Sequence, residues 1–237
     1  MTERTKNRLA ALRSKMAEHG VDLVALGPGS HMHWVLGFHP HPDERPCLLL
    51  VGKQKEAFLM PVLNAEGSRE STDIGFHTWS DAEGPNAALR AALADIAEDS
   101  AGHVVVDETM RADFALLLLA QLPAAKQSFT AETLGALRMR KDDSEYKQLR
   151  MNSAIADEAM QKAFAALKPG MTERDVAAVV KAHFAQEASS PLFTIVGAGS
   201  NGAFPHHQTG DRKLAEGDAV VIDIGARKGD FSSDITR

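Results

Sequence analysis

The sequence predicts two successive domains of mixed structure, an α/β sandwich of roughly 130 residues and then a unit that opens on two helices and turns to strands. Three observations carry the prediction. Short apolar runs alternate with helical patterns from the start of the sequence to about residue 130. A charge-dense stretch, LRMRKDDSEYKQLR, begins at Leu137. Beyond it, two capped amphipathic segments give way to β-type patterning. The expected division is a domain over 1–130, a linker over 131–143 and a second domain over 144–237.

In the first domain, Leu9, Leu12 and Met16 recur at helical spacing and Gly20 is a stop signal. Residues 21–26, 47–51, 57–60 and 103–106 are short runs of β-branched or large apolar residues bounded by Gly, Pro and Lys, the pattern of strands. Residues 87–97 and 110–122 read as helices between or after them. His31, His33, His39 and His41 lie in or beside a strand and a Pro-rich loop, where structural histidines are expected rather than a metal cluster. In the second domain, Asp142 is an N-cap with Glu145 three residues on, a capping box. Tyr146, Leu149, Ser153, Ala156, Met160, Phe164 and Leu167 then form one stripe along a long helix, which Pro169 and Gly170 end. Thr172 and Asp175 start a second helix whose face is Val176, Val179, Val180, His183 and Phe184. Residues 192–196, 219–225 and 231–235 return to strand patterning.

Composition narrows the function classes. Hydrophobic residues make up 44% of the 237 residues, enough for real cores, and a net charge of −6 offers no basic field for nucleic acid. With two Trp and one Tyr, no Lys/Arg cluster interleaves with aromatics. Cys47 is the sole cysteine, which excludes an internal disulfide and a cysteine-held zinc. The N-terminal MTERTKNRLAALRSKM lacks the apolar core of a signal peptide, and no run is long enough to span a membrane. A cytoplasmic setting is expected.

The chemistry is concentrated near Asp223. In AVVIDIG (219–225), positions 220, 222 and 224 are apolar, and so is Val221 beside Asp223 on the opposite face, so both faces read as buried. An ionised carboxylate in such surroundings is costly without a cation or hydrogen bonds to compensate it. A tight turn at Lys228-Gly229 would set Asp223 directly opposite Asp234. Like charges facing each other roughly 5 Å apart are destabilising, and a divalent cation between them removes the conflict. Oxygen ligation of this kind suits Mn²⁺, Mg²⁺ or Co²⁺. The alternative is a surface hairpin with two solvated aspartates.

Upstream, GAGSNG (197–202) is not a phosphate loop, since it lacks the GxxxxGK[ST] pattern, and no helical pattern follows it. It reads as an approach loop to Phe204-Pro205-His206-His207, where one histidine is a candidate site residue.

Residues 197–237, GAGSNGAFPHHQTGDRKLAEGDAVVIDIGARKGDFSSDITR, resemble the metallopeptidase family that contains aminopeptidase P, prolidase, methionine aminopeptidase and, as a metal-free relative, creatinase. The pattern is a Pro-His step, a Gly-Asp pair, an Asp-x-Gly strand and a Ser-Asp-x-Thr-Arg strand, with His206 seventeen residues before Asp223 and Asp234 eleven after it. The likeness extends to the charged linker, to LKPGMTERDV and, more weakly, to HWVLGF (33–38).

The resemblance implies an α/β creatinase-like N-terminal domain followed by the first half of an α+β pita-bread domain. The complete site would hold two divalent metals on two Asp, one His and two Glu, with manganese the first expectation and cobalt or zinc the alternatives. By position, Asp223 would chelate one metal, Asp234 would bridge both, and His206 rather than His207 would contact substrate and steady the reacting carbonyl. The metal-ligand His and both Glu belong to the family's second half, so this 237-residue chain is expected to be an incomplete and inactive site. The leading expectation is an Xaa-Pro aminopeptidase, a homodimer acting on peptides with proline at the second position. Alternatives are an Xaa-Pro dipeptidase (prolidase), a related small-amide hydrolase, or, from another class, a metal-free binding module. Retention of both aspartates counts against the last.

Overall fold

In the computed structural model, which describes residues 1–237, the chain divides between Arg140 and Lys141 into two units. The first runs α1 (Glu3–His19), β1 (Leu23–Leu26), α2 (Ser30–Leu36), β2 (Leu48–Gly52), β3 (Glu56–Pro61), α3 (Val62–Arg69), β4 (Gly75–Trp79), α4 (Asn86–Asp95), β5 (His103–Val106), α5 (Ala112–Leu119), β6 (Lys126–Phe129) and α6 (Leu134–Met139). Its six strands form one mixed sheet in the order β4-β3-β2-β1-β5-β6, antiparallel at β1/β2 and β2/β3 and parallel elsewhere.

Two-residue periodicity sorts this sheet's side chains into two cores. Val24, Leu49, Val51, Phe58 and Met60 face Leu9, Leu12 and Met16 of α1 and Met32 and Val35 of α2. Leu23, Ala25, Leu48, Leu50 and Leu59 face Leu89 and Leu93 of α4 and Phe114 and Leu118 of α5. Each large side chain removed from water in this way contributes about 1.5–3 kcal/mol. Leu134 is fully buried in the first of these cores, so the unit extends through α6 to Arg140, past the boundary expected at residue 130. His31 and His33 sit on a short helix rather than in or beside a strand. Cys47 is buried, and burial pushes its thiol up to about 12, which leaves it inert as a nucleophile.

The second unit runs α7 (Asp143–Ala166), α8 (Glu173–Gln186), β7 (Ser190–Ala198), β8 (Val220–Lys228), β9 (Phe231–Ser232) and β10 (Ile235–Thr236). Both expected capping boxes form, Asp142 with Glu145 and Thr172 with Asp175. The buried stripe of α7 is Asn152, Ile155, Ala156, Ala159, Met160 and Ala163, rotated from the expected one, so Tyr146 and Phe164 are exposed. The small residues of this stripe suit close packing of α7 with Val176, Val180 and Phe184 of α8 and with Ile222, Ile224 and Ala226 of β8. The sheet is antiparallel, with β10 and β7 flanking β8 and β9 pairing the far end of β8.

Candidate metal centre

Around Asp223, strand β8 is fully buried on one face only. Ile222, Ile224 and Ala226 are fully buried against the helices, whereas Val221 and Asp223 on the other face are half-buried. The expectation that both faces are buried is thus corrected, and Asp223 lies where solvent and a cation can reach it.

The hairpin register also differs from the expected one. Lys228 pairs with Phe231 and Arg227 with Ser232, so the turn is Gly229-Asp230, not Lys228-Gly229. Two features fix it. Gly229 has φ +69°, the positive value that the first central position of a type II′ turn demands. The buried Asn152 on α7 accepts from the Lys228 N–H at 2.9 Å and donates to its carbonyl at 3.0 Å, holding that residue as a strand position. Asp223 consequently opposes Thr236, and the same register sets Asp234 opposite Gly225. The two aspartates are therefore offset by two residues across the hairpin rather than directly opposed.

Two local devices shape this face. Thr236 Oγ1 donates to Asp223 Oδ1 at 2.7 Å, orienting the carboxylate. The ladder breaks at Ser233, whose Oγ accepts from the Ala226 N–H at 3.3 Å, and the exposed Asp234 lies in that break between β9 and β10. At Gly225 a Cβ would stand 2.7 Å from the Ser233 carbonyl oxygen and inside contact distance of the Phe193 ring, which explains the glycine two residues after Asp223. Two accessible carboxylates offset across one hairpin, one of them held by a hydroxyl, are an oxygen-donor set that fits a divalent cation.

Asp223 lines a cleft of about 180 Å³ with Ile195, Asn201, Phe204, Pro205 and His207. Asp234 lines an adjoining cleft of about 420 Å³, with Thr236 common to both. His206 lines neither. It is exposed in the turn after Pro205 and its ring makes no hydrogen bond, while the His207 ring is held at 2.8 Å by Glu173.

Glu173 was not singled out by its sequence context, and it organises the loop. It is the first residue of α8, fully buried, and its carboxylate accepts from the Ala198 N–H, Asn201 Nδ2, His207 Nε2 and the Gly210 N–H at 2.8–2.9 Å. Burial pushes this carboxyl up, but the four donors outweigh it and hold the group down at about 2. Thr236 is the Thr of the Ser-Asp-x-Thr-Arg strand, but the motif alone does not assign it a contact.

Two other clusters combine histidine with carboxylates, His31 with Asp107 and Glu108, and His183 with Glu158 and Glu187. In the first, the Arg138 guanidinium lies 2.9 Å from His31 Nδ1, and in the second the Lys162 ammonium lies 2.8 Å from His183 Nδ1. Both cations can only donate, so each Nδ1 accepts and each Nε2 carries the proton. Neither Nε2 presents a lone pair to a metal. His33 and His39 meet edge to face at 5.8 Å, a packing contact.

Comparison with known proteins gives two adjoining matches, to "Creatinase/Prolidase N-terminal domain" over residues 8–140 and to "Metallopeptidase family M24" over residues 147–237. The probable dipeptidase PepE of Mycobacterium tuberculosis is 32% identical over 237 aligned residues, covering 97% of this chain and 62% of that protein. The Xaa-Pro dipeptidase of Lactobacillus delbrueckii subsp. lactis is 27% identical over 97% of this chain and 64% of its own length. The crystal structure of dipeptidase PepE from Mycobacterium ulcerans superposes with a TM-score of 0.90 at 29% identity, over 99% of this chain and 64% of that one. The chain thus spans somewhat under two thirds of the length of the relatives it matches.

Proposed function

This chain is a member of metallopeptidase family M24 with a creatinase/prolidase N-terminal domain, and from that premise we propose that it belongs to a metal-dependent dipeptidase acting on Xaa-Pro dipeptides. Its architecture is that N-terminal domain followed by the first part of the pita-bread catalytic domain. The sequence alone favours an aminopeptidase, but the relatives described above carry the names dipeptidase and Xaa-Pro dipeptidase, which moves the proposal to the dipeptide substrate.

The observation that supports the proposal is the two-residue offset of Asp223 and Asp234 across one hairpin, with Thr236 orienting the first. We assign both aspartates as ligands of two divalent ions, manganese first and cobalt or zinc as alternatives, which when bound activate water and polarise the scissile carbonyl. The chain's own groups have separate tasks. Asp223 and Asp234 supply negative charge and oxygen donors, Thr236 keeps Asp223 aimed, and Phe204, Pro205 and Ile195 give the cleft an apolar wall suited to a pyrrolidine ring. His206, exposed and without a hydrogen bond to its ring, is proposed to contact the substrate carbonyl, and the tethered His207 to shape the loop.

Residues 1–237 provide two of the five ligands implied by the resemblance, and we propose that they do not hydrolyse peptides alone. No helix is long and apolar enough to cross a membrane. A cytoplasmic setting, expected from the composition, and a homodimer, implied by the resemblance, belong to the proposal. The test is a polypeptide of the relatives' length with added Mn²⁺, assayed on an Xaa-Pro dipeptide and on the tripeptide extended by one residue beyond proline. Hydrolysis of the dipeptide with at least ~10²-fold less of the tripeptide is expected. Equal or preferred cleavage of the tripeptide would restore the aminopeptidase.

A further inference from the structure

Glu173 is a carboxylate with no solvent exposure and no Lys or Arg paired to it, and its four hydrogen-bond donors all come from one stretch, residues 198–210. That stretch forms one wall of the Asp223 cleft through Asn201, Gly202, Phe204, Pro205 and His207. The acceptors divide cleanly. Oε1 takes the Ala198 N–H and Asn201 Nδ2, at the start of the stretch, and Oε2 takes His207 Nε2 and the Gly210 N–H, at its end. A single carboxylate therefore fixes both ends of the loop to the first turn of α8, where the helix dipole adds to the stabilisation of its charge. A residue needed only to start the helix would not require this, because Thr172 and Asp175 already cap it.

We propose that Glu173 is the positioning residue of the site: it holds the wall of the Asp223 cleft in one conformation and thereby sets where the adjacent His206 meets substrate. The part of this that concerns substrate rests on the peptidase proposed above. The part that concerns the loop does not.

Glu173→Gln separates the two ends. A glutamine keeps one acceptor oxygen and turns an NH₂ toward the other pair of donors. His207 can adapt by switching tautomer and accepting from that NH₂, whereas the backbone N–H of Gly210 cannot. The NH₂ is therefore expected on the His207 side. In the 237-residue chain, amide hydrogen exchange at Gly210 should rise at least ~10-fold while Ala198 and the α8 amide of Val180 keep their rates. The His207 ring, read by ¹⁵N NMR, should change from an Nε2–H to an Nδ1–H tautomer. His207→Ala removes one donor of four and should leave Ala198 protected, giving a second variant if the first folds poorly. In a polypeptide of the relatives' length, Glu173→Gln should leave metal content unchanged and raise KM for an Xaa-Pro dipeptide by ~10-fold, with a smaller fall in kcat. Unchanged exchange at Gly210, or faster exchange at Val180 to the same extent, would overturn the positioning role. A wild-type polypeptide of the relatives' length that hydrolyses no Xaa-Pro dipeptide would remove the peptidase proposal and leave the exchange result to decide the role of Glu173 in the loop.

Discussion

The sheet of the first unit is covered on both faces by helices, and the sheet of the second on one. In the first, alternate residues of β2 such as Leu48 and Leu49 go to opposite cores and both are fully buried. In the second, Ile222 and Ile224 are buried while Asp223 between them is half-exposed beside a cleft. The same two-residue alternation thus builds a scaffold where both sides are apolar and a binding surface where one side is left open. A carboxylate deep in such a fold needs full compensation, as Glu173 has, whereas Asp223 has a single hydroxyl partner and free acceptor capacity for a cation.

The sharpest contrast between the sheets comes from substitutions that separate chemistry from stability. In a polypeptide of the relatives' length, Asp223→Ala or Asp234→Ala should abolish bound Mn²⁺ and activity. The melting temperature without metal should hardly move, since neither carboxylate is fully buried. Elemental analysis beside calorimetry checks both halves, and a normal metal content in either variant would break the contrast.

Phe58→Ala probes the covered sheet. Its ring is fully buried and stacked on Phe76 at 5.3 Å, so the variant should lose about 3–5 kcal/mol in denaturant titration of the first unit, with metal binding unchanged.

Glu173 gives a pH signature to the second unit. Its folded value of about 2 lies below the ordinary 4.5, so its stabilisation is fully present above pH 4.5 and is lost as pH falls toward 2. The loss attributable to this one group is about 3 kcal/mol. Glu173→Gln should flatten that portion of the acid unfolding curve, and an unaltered curve would show that other carboxylates carry it.

The smallest expected effect separates the adjacent histidines. His206→Ala should lower turnover of an Xaa-Pro dipeptide by about 10²-fold at normal metal content, the loss of one transition-state contact, and His207→Ala by distinctly less. Equal losses would remove the distinction between the exposed and the tethered ring.

Much of the fold is legible where burial is strong. The apolar runs of β1, β2, β3 and β5 and both capping boxes announce themselves because the sheet interior and the helix starts each demand a narrow set of residues. Strands β4 and β6, GFHTW and KQSF, are edge strands with exposed polar positions, so their pairing leaves little trace in composition. The stripe on α7 is weakly marked because its packing is mostly alanine, whose small side chain gives little periodic contrast. At the candidate site, the carboxylate in an apolar strand marks Asp223, but the register depends on Asn152 reaching Lys228 from a helix far away in sequence. The Glu173 network is equally non-local, joining residues 25 to 37 positions apart.

Sub-stoichiometric Mn²⁺ added to the ¹⁵N-labelled 237-residue chain tests the metal assignment most directly, because paramagnetic broadening reports even weak binding at its own location. Amides of residues 222–225 and 233–236 should broaden first, and Asp223→Asn should abolish the effect there. Broadening that begins instead around His31 or His183, or that persists unchanged in the Asp223→Asn variant, would contradict the assignment of Asp223 and Asp234 as the metal-binding pair.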